Sequence, residues 1–263
     1  VAGGVDAHAH AWVRPFAFIP GARYRPDYDA PVDAWVAHLD RHGLEQGLLI
    51  QPSFFGHDNS QMLDAVSRHP GRLRAVVMIH TSTPDEELAR LEARGAVGVR
   101  YNLIGLPLPD FAAEPQASFV RRLAARGWHV EIHREARDLH ALLPPLLSAG
   151  VRVAVDHFGR PDATKPVDDP GFRYLLTHGR SGRVWVKLSA AYRCGGDAAA
   201  RKLTPMLLDH YPPERLPWAS DWPHTQHESR VSYDSTFALF EATVSDAKVR
   251  ARCLAAATEL LAR

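Results

Sequence analysis

"VDAHAHAW", residues 5–12, places two histidines two positions apart behind Asp6, in a stretch of otherwise small and apolar residues. Side chains on a β-strand alternate between its faces. Read as a strand, the stretch puts Val5, Ala7 and Ala9 on one face and Asp6, His8 and His10 on the other. One buried histidine is most often a hydrogen-bonded core residue. Two on one face, at a strand end, can converge on one atom or one substrate.

The rest of the chain decides what kind of sheet this strand opens. Further apolar runs follow: "GLLIQPS" (47–53), "RAVVMIH" (74–80), "AVGVRYN" (96–102), "WHVEIH" (128–133), "VRVAVDH" (151–157), "RVWVKLS" (183–189) and "LPWASDW" (216–222). Seven amphipathic stretches lie between them, from "PVDAWVAHLDRHG" to "AARKLTPMLLDHY", many ending in the glycine that stops a helix. "SDAKVRARCLAAATELLAR" reads as a C-terminal helix. Eight strands alternating with helices predict an α/β fold, a single (β/α)8 TIM barrel over residues 1–263. A doubly wound open sheet is the rival. No glycine-rich phosphate loop follows the first strand, and polar residues recur at carboxyl ends of strands, where a barrel's active face lies.

Composition narrows the partners. Lys and Arg number 31 against 30 Asp and Glu, without blocks of like charge, so nothing argues for nucleic acid or a membrane surface. No apolar run approaches the roughly 20 residues of a membrane span. Two cysteines, Cys194 and Cys253, form no disulfide framework, and a reducing cytoplasm is expected. The first strand begins almost at Val1, leaving no room for a signal peptide within this chain. The longest irregular stretch, residues 11–30, reads either as a substrate-covering loop through Tyr24, Arg25 and Tyr28 or as a surface wrap packing Phe16 and Phe18.

The strand ends carry the chemistry. In "WHVEIH", His129, Glu131 and His133 share a face; His157 ends the sixth strand and Asp221 the eighth. The mouth then holds His8, His10, His133, His157 and Asp221. That is a zinc-type ligand set. It is equally a metal-free set, with a carboxylate to take a proton from water and imidazoles to polarise a carbonyl. Arg100 alternates with Val97 and Val99, which points it inward. Lys187 shares a face with Trp185 and Ser189 and is expected to pair with Glu131, because an unpaired interior charge is costly. Glu131 reads alternatively as a partner for an imidazole. Ser53 and Tyr192 are pocket candidates, Asp58 or Asn59 a helix cap, and His224 and His227 loop-positioning residues. There is no Gly-x-Ser-x-Gly elbow, which disfavours a serine nucleophile.

The ordered set of His-x-His on strand one, His on strands five and six and Asp on strand eight resembles the amidohydrolase superfamily. "DHFGRPD" (156–162), "SDWPH" (220–224) and "QPSFFGHDN" (51–59) resemble its 2-pyrone-4,6-dicarboxylate lactonase group, and the likeness covers nearly the whole chain. The resemblance implies a barrel that hydrolyses a small carboxylated lactone, in a group where some members need no metal and others use zinc. It implies Asp221 as the base that activates water, with His8, His10 and His157 polarising the carbonyl. It implies Arg100 and Arg193 on a substrate carboxylate, with Tyr24, Ser53 and His133 also at the substrate. If one zinc ion is bound, His8, His10, His133 and Asp221 are the implied ligands. Two departures stand out: "LIGLPLPD" (103–110) lacks an arginine that the group carries there, and His133 stands where the metal-independent pattern has tyrosine. The alternatives are a zinc-dependent decarboxylase of an aromatic or muconate-type acid, a sugar-acid lactonase, and a non-catalytic carboxylate-binding barrel. The oligomeric state is not legible.

Overall fold

The computed structural model describes residues 3–262; Val1, Ala2 and Arg263, at the ends of the expected 1–263 domain, lie outside the described residues. Seven strands form one parallel sheet in sequence order: β1 (Val5–Ala9), β2 (Gln46–Ile50), β3 (Leu73–Val77), β4 (Ala96–Asn102), β5 (His129–His133), β6 (Arg152–Val155) and β7 (Val184–Val186). Each is followed by a helix: α1 (Val32–Arg41), α2 (Ser60–Ser67), α3 (Asp85–Ala93), α4 (Gln116–Ala125), α5 (Leu139–Ser148), α6 (Pro170–Leu176) and α7 (Gly196–His210). Parallel neighbours joined through helices bury both faces of a sheet, so its strands are apolar on both sides. One face of the staves, with Leu49, Val77, Val130, Val153 and Val186, packs on the helices through Trp35, Leu39, Leu63 and Leu88. The other, with Leu48, Ile50, Val76, Val97 and Trp185, encloses an inner core.

The expected eighth strand is not a regular one. Residues 216–222 meet β1 and the chain beyond β7 through isolated bridges, Leu188 with Trp218 and Ala9 with Trp222. Backbone bonds run from Leu188 N to Pro217 O (2.8 Å), from Asp221 N to His8 O (2.9 Å) and from His10 N to Trp222 O (2.8 Å). Pro217 and Pro223 bracket the segment without N–H donors, and Asp221 has φ 57°, so no continuous ladder can form.

The first strand also departs from its expected alternation. Asp6 pairs with Gly47, but Ala9 pairs with Leu49, so the register slips by one residue between them. Such a bulge reverses the faces beyond it. Asp6 therefore does not share a face with His8 and His10. It points out toward the helices, where its carboxylate accepts from Trp35 Nε1 (2.8 Å), Ser220 Oγ (2.6 Å) and Tyr233 OH (3.1 Å).

Two changes concern the C-terminal third. An unforeseen helix α8 (Tyr233–Thr243) begins with a reciprocal cap between Ser232 and Ser235. The expected final helix is two, α9 (Ala247–Ala255) and α10 (Thr258–Leu261), and the turn between them brings Ala257, Leu260 and Leu261 into the inner core. Residues 11–30 pack as the surface wrap, and of the three residues of the covering-loop reading Tyr24 alone lines the pocket described below. Phe16, Phe18, Tyr24 and Tyr28 pack with Trp12, Phe54 and Phe55, and the Tyr24 and Tyr28 hydroxyls both donate to Glu228 Oε1, at 2.5 and 2.6 Å.

Candidate active site

At the carboxyl ends of the strands, three imidazoles face one carboxylate oxygen. Asp221 Oδ1 lies 3.6 Å from His8 Nε2, 3.7 Å from His10 Nε2 and 3.9 Å from His157 Nε2. The β1 bulge aims His8 and His10 inward. His157 reaches in from a turn in which four consecutive residues, His157 to Arg160, have φ of 50, 56, 80 and 52°. Left-handed backbone is costly for residues with a Cβ and is retained where surrounding structure over-determines it. At Gly159, with φ 80°, a Cβ would come within 2.4 Å of Leu175 Cδ2, so a side chain there would force that leucine to move.

Hydrogen bonds fix the protonation of this group. Asp221 Oδ2 accepts from Tyr192 OH (2.6 Å) and Arg193 Nε (3.1 Å), leaving Oδ1 to the imidazoles. Burial pushes the Asp221 carboxyl up, but Arg193, His157 and the other imidazoles hold it well below the usual carboxylate range. Burial lowers the imidazoles in turn, His157 to about 3 and His8 and His133 well below the ordinary value. They are neutral around an ionised carboxylate. His10 Nδ1 lies 2.7 Å from Ile50 O, which can only accept, so Nδ1 carries the proton and Nε2 keeps a lone pair.

A buried ionic layer supports His8 from below. Its Nδ1 lies 3.0 Å from Lys187 Nζ, 3.2 Å from Asp156 Oδ1 and 3.4 Å from Glu131 Oε1. Lys187 binds Glu131, as expected, and also approaches Asp156 at 3.2 Å. Burial and the Asp156 charge push Glu131 up to about 8. Asp156 itself, despite burial, is held well below the carboxylate range by Lys187 and His8. Removing one partner of a buried ion pair typically costs about 3–5 kcal/mol. Lys187→Met is therefore expected to lower the melting temperature by roughly 10 °C in a scan at pH 7. A change under 2 °C, on the order of 1 kcal/mol or less, would remove Lys187 from the support of this layer.

Above these groups opens a cavity of about 230 Å³. His10, His133, His157 and Asp221 line it, as do Tyr24, Ser53, Arg100 and Arg193, so the sequence-named residues converge except for His8, which lies beneath. Arg23 and Arg160 line it too, and neither was anticipated. Arg100 is anchored through Nη1 on Gln51 O (2.9 Å). Arg193 is not free: besides Asp221, its Nη2 holds Thr225 O at 3.0 Å. Arg25 stands over the Phe18 ring instead of in the pocket. Asp58 accepts from Ser60 N (3.1 Å) just ahead of α2, whereas Asn59, the N-cap, makes no side-chain capping bond and its amide joins His57 O to Met78 O. A second, more apolar cavity of about 170 Å³ between α7 and α8 contains none of the site imidazoles.

Two donor groups come within 4.8 Å of one another, His8–His10–Asp221 and His8–Asp156–His157. His133, the implied fourth ligand, belongs to neither. Its Nδ1 faces Arg100 Nη2 at 3.4 Å, and its buried Nε2 has no hydrogen-bond partner among the described residues. The first group fits one tetrahedral ion. Donors about 2.0–2.1 Å from zinc stand roughly 3.3 Å apart, and His8 Nε2 and His10 Nε2 are 3.3 Å apart.

The sequence pattern of the Amidohydrolase family matches residues 5–263. The chain belongs to the amidohydrolase family. This amidohydrolase is 33% identical over 255 residues to a 2-pyrone-4,6-dicarboxylate hydrolase of Comamonas testosteroni, covering 91% of this chain and 83% of that one. It is 32% identical over 232 residues to a 4-sulfomuconolactone hydrolase of Hydrogenophaga intermedia, covering 85% and 75%. Its fold matches a crystal structure described as a probable 2-pyrone-4,6-dicarboxylic acid hydrolase from Acinetobacter baumannii with citric acid bound. That match has TM-score 0.94 and 36% identity, over 99% of this chain and 100% of the other. No helix among the described residues of this amidohydrolase is long and apolar enough to cross a membrane.

Proposed function

We propose that this amidohydrolase opens a carboxylated lactone, 2-pyrone-4,6-dicarboxylate or a close analogue, by attack of water on the ring ester carbonyl. The observation that carries this reading is Asp221 Oδ1 facing three imidazole Nε2 atoms at the floor of an arginine-lined pocket. The lactone hydrolases among the relatives favour it over the decarboxylase and sugar-acid alternatives.

In this reading Asp221 takes a proton from water as the water oxygen bonds to the carbonyl carbon. The carbonyl electron pair moves to oxygen, where His157 donates a hydrogen bond to the developing charge and His8 donates a second when its Nε2 holds no cation. Collapse breaks the ring C–O bond, and the leaving oxygen recovers the proton from Asp221. Arg100 and Arg193 orient the ring through its carboxylate, aided by Tyr24, Ser53 and His133, so that binding becomes positioning. Engagement of Arg193 by the substrate draws its charge from Asp221 and raises the basicity of a carboxylate otherwise held low. His10 has a different part: its Nε2 lone pair cannot donate to an oxyanion. It suits a cation, and His8, His10 and Asp221 would hold one zinc ion. When bound, zinc supplies Lewis-acid polarisation.

The same reading takes residues 216–222 as the eighth stave of a single (β/α)8 barrel over residues 1–263. The two free, buried cysteines fit a reducing cytoplasm.

The test is hydrolysis of 2-pyrone-4,6-dicarboxylate by purified protein before chelation, after it, and after zinc is returned. Turnover is expected to fall at least about tenfold on chelation and to recover with zinc. Turnover indifferent to the chelator assigns polarisation to His8 and His157 alone. No ring opening in any state sinks the lactonase reading.

A further inference from the structure

The four guanidinium groups around the pocket are not equivalent. Arg100 is buried and anchored on Gln51, and Arg193 is tied to Asp221 and Thr225. Arg23 lies at the exposed rim, carried by the 11–30 segment, where its Nη2 donates to Asn102 Oδ1 at 3.2 Å. Asn102 ends β4 two residues beyond Arg100, so both guanidinium groups stand on the same side of the pocket. The Tyr24 and Tyr28 hydroxyls on Glu228 hold the segment in this place.

The lining carries four arginines against one carboxylate, Asp221. The buried carboxyls below do not offset them, because Lys187 already serves Glu131 and Asp156. Partial burial, and then the like charges of Arg100, Arg160 and Arg193 with Glu135 opposing, push Arg23 below the ordinary guanidinium range. Arg100 and Arg193, the inner pair, offer guanidinium groups to one anionic group of a ligand whose ester carbonyl meets Asp221. The rim charge is then left without a partner.

We propose that Arg23 is a specificity-determining residue: it binds a second anionic oxygen group of the substrate at the rim, and so selects dianionic over monoanionic lactones. The proposal rests on the lactone-hydrolase reading. Guanidinium suits a carboxylate or a sulfonate alike, since either presents paired oxygens to its fork.

The experiment compares wild type, Arg23→Gln and Arg23→Lys on 2-pyrone-4,6-dicarboxylate and on the monoanionic 2-pyrone-6-carboxylate, with melting temperatures to confirm folding. In Arg23→Gln the dianion-to-monoanion ratio of kcat/KM is expected to fall about tenfold, mainly through KM for the dianion, and Arg23→Lys to recover part of it. Calorimetric binding of citrate, which needs no turnover, is expected to weaken about fivefold in Arg23→Gln. An unchanged ratio together with unchanged citrate affinity overturns the role of Arg23. Wild-type protein that opens neither lactone overturns the hydrolase reading instead, while citrate binding weakened by Arg23→Gln would still support a rim anion site.

Discussion

Asp221→Asn is expected to reduce kcat/KM by about 1000-fold or more, in the upper part of the range for a lost general base. The amide matches the carboxylate in shape but cannot take a proton from water. Tyr192 can still donate to the amide oxygen from its 2.6 Å position, so the residue stays in place. Arg193 loses its ionic partner, but it also holds Thr225 and is only partly buried, which limits the cost in stability. KM should move little compared with kcat, because Arg100 and Arg193 still grip the carboxylate. Steady-state kinetics with a near-UV circular dichroism spectrum on the same sample checks this. A folded variant retaining a tenth of wild-type activity would show that another group takes the proton.

The second large effect is on stability. The melting temperature is expected to be highest near neutral pH and to fall steeply below pH 6.5. Burial lowers ten histidines, and six of them lie fully in the interior: His8, His10, His129, His133, His157 and His224, with His129 at about 3 and His224 at about 4. In the folded protein they stay neutral, while the unfolded chain takes up protons below about pH 6.5. Their contribution is therefore complete above pH 6.5 and is lost as pH falls toward the folded values. Each group that stays neutral costs about 1.4 kcal/mol per pH unit, so His129, His157 and His224 alone cost on the order of 4 kcal/mol by pH 5.5, a large share of a typical total stability, and the other three act in the same direction. Asp221 and Asp156, held low, lose their contributions only below the ordinary carboxylate range, near pH 4. Glu131, raised to about 8, runs the other way: its contribution is complete below about 4.5 and lost as pH rises through 8, and Asp6, raised by burial, has the same sign. A melting temperature unchanged between pH 7 and 5 would contradict the neutral burial of these imidazoles.

The strand ends were legible where alternation is regular. β5 and β7 are regular, and from them Glu131, His133 and Lys187 were placed on the inner face and the Lys187–Glu131 pair foreseen. Alternation failed at β1 because a bulge leaves no mark in "VDAHAH": Ala7 and His8 can follow one another inward, and Asp6 then turns out to the helices. It failed again at Asp156 and His157. A strand assigns one of two neighbours to the pocket, whereas left-handed backbone at His157 brings both to His8 and Asp221. The eighth strand did carry a warning in Pro217 and Pro223. Arg23 was hidden by the 11–30 segment, since no period tells which of Arg23 and Arg25 faces inward in irregular chain. That choice is made by Phe18, which takes the Arg25 guanidinium.

The inner core has one further consequence, for the order in which the molecule can be made. Its floor combines Val5 and Ala7, from the start of the chain, with Ala257, Leu260 and Leu261 near the other end. The Trp185 indole donates to Ala256 O at 3.1 Å at the same level. A nascent chain that has already emitted all seven strands still has an open base, with Leu48, Ile50 and Val76 wet, until residues 257–261 leave the ribosome. Contacts of such sequence separation slow folding and prolong the exposure of apolar surface. The closing of this inner core during synthesis therefore waits on residues 257–261, far from the pocket.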